Sequence, residues 1–319
     1  MQDGDLSPEQ THFWDNGFWE PLWLSPAQIL DAVTTSYSRK AGHAHYLADG
    51  LLNQSWKIDD DYVLRVSRPE RTLAQVQYEH DVIRALHRHI DVVVPPITSG
   101  EGGTVAEYHG YRLSLFPFVT GIPGTAIDPT IRTRESARVL AEIHRQSLEI
   151  GQRPDMHMID EGRRWPWPQQ KAILQKGFAD HAEARQLIAL FDAEYQKMGR
   201  WLEGLKDRPL PRGVVHGDFN PRNLIFAGDE IAAVIDWDNC RRDILAFEVG
   251  ITPFVDQDEF FAAYLAAGGP LEPADADLLA GFQRIGALSE VQWAVNGDGL
   301  GRTALSVLRD VARDLQLTS

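Results

Sequence analysis

Cysteine is almost absent from this 319-residue chain: Cys240 is the one thiol. A lone thiol can form no intrachain disulfide and cannot build a cysteine-based zinc site. Long apolar runs are missing too, and nothing approaches the ~18 residues of a membrane span. Positive charge is scarce, with 31 Lys and Arg against 46 Asp and Glu and a formal net charge of −15. Nucleic acid and anionic membranes both demand a basic surface, so neither is expected as a partner. The opening residues Met1-Gln2-Asp3-Gly4-Asp5 are acidic and lack the apolar stretch of a secretory leader, so a cytoplasmic protein is expected. No internal repeat or low-complexity tract is visible.

The rest of the composition is ordinary for a globular chain with a sizeable core, at 43% hydrophobic and 24% charged. Its length suits one large or two modest domains, at ~100–200 residues each. Ser7-Pro8-Glu9-Gln10 and Ser25-Pro26-Ala27-Gln28 both read as capping boxes with proline at the first helical position. Between them Phe13, Trp14, Phe18, Trp19 and Trp23 form an aromatic cluster that suits pinning an extension onto a domain. Gln54 to Ile58 and Tyr62 to Val66, around the acidic turn Asp59-Asp60-Asp61, read as a hairpin. Residues 71–89 read as a helix with Leu73, Val76, Ile83 and Leu86 on one stripe. Val92–Val94, Thr104–Tyr108 and Tyr111–Phe116 are expected to be further strands of the same antiparallel sheet. After Gly121 the pattern turns helical, interrupted by β character only between Gly213 and Trp237. The expected organisation is therefore α+β: an N-terminal helical extension over 1–40, a sheet-containing lobe over 41–120 and a mostly helical lobe over 121–319.

The strongest chemical signal is Val214-Val215-His216-Gly217-Asp218-Phe219-Asn220-Pro221-Arg222-Asn223. It continues through Leu224-Ile225-Phe226, the turn Gly228-Asp229, and a second apolar run ending on Asp236-Trp237-Asp238. A strand that delivers a polar loop, then a tight hairpin ending on acids, brings Asp218, Asn223 and Asp236 to one end of a small sheet. Phosphoryl transfer from ATP needs such a set: a carboxylate for the hydroxyl proton, and a carboxamide and a carboxylate for Mg²⁺. Asp218 and Asn223 also carry the five-residue spacing of the Asp and Asn in a kinase catalytic loop.

The first lobe supplies a second signal. Glu79 stands three residues after Val76 and four before Ile83, on the apolar stripe of its helix. A carboxylate facing a core calls for a cationic partner, and Arg65 on the preceding strand is the candidate. Lys57 is its rival, but in a hairpin register centred on Asp60 it sits near the far turn, away from Gly50.

HGDFNPRN followed by IDWD resembles the aminoglycoside phosphotransferase and choline kinase-like family, which includes homoserine kinases. The resemblance extends from about Tyr46 to about Trp293. It implies a protein-kinase-like two-lobe fold and transfer of the ATP γ-phosphate to a hydroxyl of a small molecule, with ATP and Mg²⁺ as cofactors. It implies Asp218 as catalytic base and Asn223 and Asp236 as metal ligands. Arg65 and Glu79 would anchor the phosphates, with Arg65 where the family usually has Lys. Residues 116–121 would be the hinge, with Phe116 and Phe118 presenting main chain to adenine, and Asp49 to Asn53 would be the phosphate-covering turn. Asp238 would touch substrate or metal, or else cap the following helix. His216 and His144 read as structural, Glu248 as a brace, and Trp165 to Pro168 as either a ring platform or packing. Gly217 stands where protein kinases carry an Arg, and no Ala-Pro-Glu follows Asp236, so a small acceptor is expected rather than a peptide. The acceptor itself and the oligomeric state are left open. A metal-dependent hydrolase using His216, Asp218, Asp236 and Asp238, and a silent nucleotide-binding protein, are the competing readings.

Overall fold

In a computed structural model, residues 23–47, 53–153, 167–253, 256–296, 299–300 and 304–317 are described. They divide into two compact units: those up to Val139 together with His216–Cys240, and Leu140–Val215 together with those from Arg241 onward. The box at Ser7–Gln10, the aromatics before Trp23 and the turn residues 48–52 lie outside the described residues. Among the described residues no helix is long and apolar enough to cross a membrane.

The first unit is built on a five-stranded antiparallel sheet. Its strands are β1 (Ala44–Leu47), β2 (Gln54–Ile58), β3 (Tyr62–Val66), β4 (Ala106–Tyr108) and β5 (Tyr111–Pro117), in the order β1-β2-β3-β5-β4. Helix α1 (Pro26–Tyr37) starts at the expected box, with Ser25 and Gln28 exchanging side-chain and backbone bonds. It packs Ile29, Ala32, Val33 and Tyr37 against Trp56, Ile58, Leu64, Val66, Leu113 and Leu115. Strand residues alternate between faces, so Arg65, between Leu64 and Val66, must lie on the other side of the sheet. There helix α2 (Leu73–His87) presents Val76, Glu79 and Ile83. It begins two residues later than expected, because Thr72 and Gln75 form a capping box that starts it there. The hairpin register is centred on residue 60, Gln54 facing Val66 and Ile58 facing Tyr62.

Two strand expectations fail. Val92–Val94 is irregular; the Val92 carbonyl accepts a bond from Val234, and Pro95-Pro96 remove the donors a strand would need. Arg241–Ile244, expected to open a helical pattern, is a strand paired antiparallel with Arg212–Val215, and the helix Leu245–Ile251 follows it.

The chain leaves β5 and forms the short strand β6 (Ile122–Pro123) beside β7 (Leu224–Ala227), which pairs with β8 (Glu230–Val234). Gly121 lies so close to β7 that an added Cβ would strike the Phe226 carbonyl and come within 2.6 Å of Ile225 Cγ2.

In the second unit, helices Ala182–Glu203 and Ala276–Ala294 carry Trp201 and Phe282, whose rings meet edge to face at 5.0 Å. His144 bonds Tyr264 and Glu248 at 2.9 and 3.1 Å with all three buried, so its role is structural, as expected. Trp167 packs on Tyr195 at 4.2 Å and bonds Asp192, which makes it part of the core rather than a platform. Asp256 caps the helix Gln257–Ala266.

The approach at Gly121 generates a prediction. Gly121→Ala is expected to cost about 1–3 kcal/mol through overpacking against backbone that cannot yield. Urea unfolding measures it, and an unchanged midpoint would show that the strand relaxes freely.

Candidate active site

The polar loop after Val215 begins with a histidine that does no visible chemistry. His216 Nε2 lies 2.9 Å from the Ile235 carbonyl, while its Nδ1 accepts the Asp218 N–H at 3.3 Å. One nitrogen must therefore donate and the other accept, which selects the neutral tautomer protonated on Nε2. Gly217, at φ +84°, provides the backbone that an L side chain would resist. The loop is thus clamped to the residue that precedes Asp236.

Asp218 is exposed, and each of its oxygens takes one carboxamide: Asn220 Nδ2 at 2.8 Å and Asn223 Nδ2 at 2.9 Å. Asn223 also donates to the Asp218 carbonyl at 2.9 Å. Both neighbours of its NH₂ are acceptors, so the amide orientation is settled and Oδ1 faces away from them. The Asn223 carbonyl accepts from Ile235 N–H at 2.9 Å, which ties the loop to the strand delivering Asp236. Asp218, Asn223 and Asp236 are therefore held by one continuous hydrogen-bonded frame, as their order in the sequence led one to expect.

Asp236 adopts a left-handed conformation, φ 65° and ψ 61°. Aspartate tolerates this region better than most residues, yet it is a strained choice that the surroundings must enforce. Its side chain is 46% exposed, and Oδ1 accepts from Arg65 Nη2 at 2.8 Å. The other fork of Arg65, Nη1, donates to Glu79 Oε1 at 2.8 Å. Space for the guanidinium comes from the cross-strand neighbours Ser55 and Ser114, both small. Lys57 pairs with Asp60 at 2.6 Å at the far turn and takes no part.

Arg71 escaped the sequence reading. It is buried, and its Nη1 donates to both Glu79 Oε2 and Asp238 Oδ1, each at 2.8 Å. Asp238 also pairs with Arg65 and takes Asn53 Nδ2 on Oδ2 at 2.5 Å. Its carboxylate is buried among cations and caps no helix by its side chain. The available hint was Arg71's place just ahead of an N-cap Thr, but nothing local couples it to residue 238.

Part of the main chain in the expected hinge is used within the sheet. Phe118 donates its N–H to Asp61 at 2.8 Å, and Phe116 faces Val63 inside the ladder. The Leu115 carbonyl points away from β3, to Ile97 N–H at 2.7 Å. Pro117 shares its parity, so the Pro117 carbonyl lies on that same open side and has no competing N–H.

Electrostatics follow from burial. Burial would push the Glu79 carboxyl up, but Arg65 and Arg71 outweigh it and bring it to about 2. The same carboxylates make Arg65 hold its proton more tightly than usual against the penalty of its own burial. His80, buried beside Glu79 with Nδ1 2.8 Å from Thr104 Oγ1, is pushed down to about 4 by burial and stays neutral.

Three comparisons bear on this site. A family model described as the phosphotransferase enzyme family matches residues 43–281. A homoserine kinase of Rhizobium etli is 28% identical over 158 residues, covering 49% of this chain and 45% of that one. The chain spans about half the length of the curated homoserine kinases it matches. Among solved structures, a microcompartment-associated aminopropanol kinase superposes with TM-score 0.71 at 20% identity, over 90% of this chain and 93% of that one. An amicoumacin kinase, solved with AMP-PNP and Ca²⁺, superposes with TM-score 0.70 at 16% identity over 91% and 92%. At such identities these likenesses establish the fold, a protein-kinase-like one.

The two shifted groups set an acid profile. Between pH 6.5 and 4 the unfolded chain takes up a proton at His80 that the folded one refuses, so stability falls as pH drops. Glu79 adds its own loss from 4.5 towards 2, where the unfolded carboxyl protonates and the folded one does not. His80→Gln is expected to remove up to about 3 kcal/mol of the upper step. Denaturant titrations at pH 7, 5.5 and 4.5 check this; an unaltered slope in the variant would place the sensitivity elsewhere.

Proposed function

This chain belongs to the phosphotransferase enzyme family, and from that premise we propose that it moves the ATP γ-phosphate to a hydroxyl of a small molecule with the help of Mg²⁺. The observation that carries the reading is the frame binding Asp218, Asn223 and Asp236 together, with Arg65 reaching Asp236 from the sheet. The donors fit a hard divalent cation. Asp236 keeps Oδ2 and nearly half its side-chain surface open, and Asn223 turns a carboxamide oxygen away from its own loop. Asn223 and Asp236 would hold the ion, which when bound neutralises phosphate charge.

The chain's own residues do the rest. Asp218 orients the acceptor hydroxyl and takes its proton as the acceptor oxygen bonds to phosphorus and the bond to ADP breaks. Asn220 and Asn223 keep its carboxylate aimed while leaving it exposed for the acceptor. Arg65 supplies positive charge to the phosphates; its planar fork replaces a point charge, which suits bridging two oxygens at once. On this reading the open Pro117 carbonyl would accept from an adenine amino group. The metal-dependent hydrolase alternative loses two of its four ligands, since His216 spends both nitrogens on backbone and Asp238 is buried in ion pairs. Homoserine, amino alcohols and antibiotics of the aminoglycoside kind are the acceptor classes that the relatives recommend, and amino sugars are a further candidate.

Acceptor-stimulated ADP release with Mg·ATP, over a panel of homoserine, aminopropanol, hexosamines, aminoglycosides, macrolides and choline, tests this. Asp218→Asn is expected to lower turnover about 10²–10⁴-fold with nucleotide binding retained. Loss of nucleotide binding in that variant would remove Asp218 from its assigned role.

A further inference from the structure

A buried carboxylate that loses its cationic partner is strongly unfavourable, because the desolvation already incurred is no longer compensated. That sets a problem for any site in which one cation must serve both a core glutamate and an incoming nucleotide. Here Arg65 holds Glu79 with one nitrogen and Asp236 with the other, which also meets Asp238. If Arg65 turned towards phosphates and Asp236 towards a metal, Glu79 at 1% exposure would stand alone. Arg71 prevents this. Its Nη1 already bonds the second oxygen of Glu79, and the same nitrogen bonds Asp238.

The remaining contacts fasten Arg71 and Asp238 independently of Arg65. Arg112 donates to the Arg71 carbonyl at 2.8 Å, and Asn53 bridges Asp238 to the Arg68 N–H at 3.1 Å. Asp238 lies two residues after Asp236, on the short turn that Asp236 begins in its left-handed conformation. Anchoring that turn at Asp238 is what keeps Asp236 in a strained backbone region. The charge count agrees with the division of labour. Two arginines face three carboxylates, two of them buried and one half-exposed, which leaves Asp236 as the group whose charge an incoming cation can balance.

We propose that Arg71 is a positioning residue: it keeps Glu79 and Asp238 compensated, so that Arg65 and Asp236 are released to nucleotide phosphates and a divalent cation. The proposal rests on the phosphotransferase reading above. It also moves Asp238 out of the ligand set and makes it the anchor of the Asp236 turn.

The test uses the full chain with Arg71→Met, Arg71→Lys and the double variant Arg71→Met/Asp238→Asn. Calorimetry gives the dissociation constant of Mg·ADP, thermal unfolding without nucleotide reports on folding, and steady-state assays separate the KM values from kcat. Arg71→Met is expected to weaken Mg·ADP by about tenfold or more and to raise KM for ATP in step, with the acceptor KM within about twofold. The double variant, which drops one buried carboxylate along with the cation, is expected to bind Mg·ADP more tightly than Arg71→Met. Arg71→Lys, which keeps the charge and loses the fork, is expected to fall between the parent and Arg71→Met. Unchanged Mg·ADP affinity in Arg71→Met overturns the proposal, as does a double variant weaker than the single, which would make Asp238 a direct ligand. If Arg71→Met does not fold while Arg71→Lys matches the parent protein, Arg71 is merely structural and the proposal falls. A parent protein that binds no Mg·ADP overturns the phosphotransferase reading itself, an outcome distinct from all of these.

Discussion

Glu79 is a carboxylate placed where water cannot reach it, and the site is arranged around the consequence. An ionised group in that position needs cations at hydrogen-bonding distance, and it has two, Arg65 and Arg71, one on each oxygen. Those two arginines come from different segments, a strand and the loop before a helix, and each carries the charge on to a further acid. Arg65 reaches Asp236 and Arg71 reaches Asp238, both on the turn that follows the catalytic-type hairpin. One buried negative charge thereby ties the sheet, the helix and the hairpin together.

The hairpin end is organised by different forces. His216, Asp218 and Asn223 are joined to each other and to the main chain around Ile235 by hydrogen bonds from uncharged donors. These bonds hold Asp218 in place without neutralising it, which suits the proton-accepting role proposed for it. The ionic cluster and the neutral frame meet at Asp236. Asp236 is the one acid of the ionic cluster that remains substantially open, and its unusual backbone is held from both sides.

Arginine at position 65 makes sense within this arrangement. A lysine ammonium is a single point, whereas the guanidinium fork gives Glu79 and Asp236 a nitrogen each. Ser55 and Ser114, its neighbours across the sheet, leave the volume that the larger group occupies. The second cation at Arg71 is the other half of that solution, since it relieves Arg65 of sole responsibility for a buried charge.

Much of this was legible before any coordinates. The period-2 alternation around Arg65 and the helical stripe through Glu79 put the two on facing surfaces, and the Asp59–Asp61 turn set a register that excluded Lys57. The spacing of His216, Asp218, Asn223 and Asp236 within a strand–loop–hairpin brought the reactive groups to one end of it. Such signals are local, because each depends on residues a few positions apart whose geometry the backbone dictates. Two partners of Asp238 lie 167 and 185 positions away, at Arg71 and Asn53, and no periodicity links them to it. The use of the Phe118 amide by Asp61, and of the Val92 carbonyl by Val234, likewise depended on which backbone groups met across the fold. The sequence by itself determined most of the elements, their buried faces and the polar side chains gathered at the hairpin end, since short-range sterics and burial decide those. Only the tertiary structure decided which charges neutralise one another and which are left open, because that depends on distances set by packing between segments far apart in the chain.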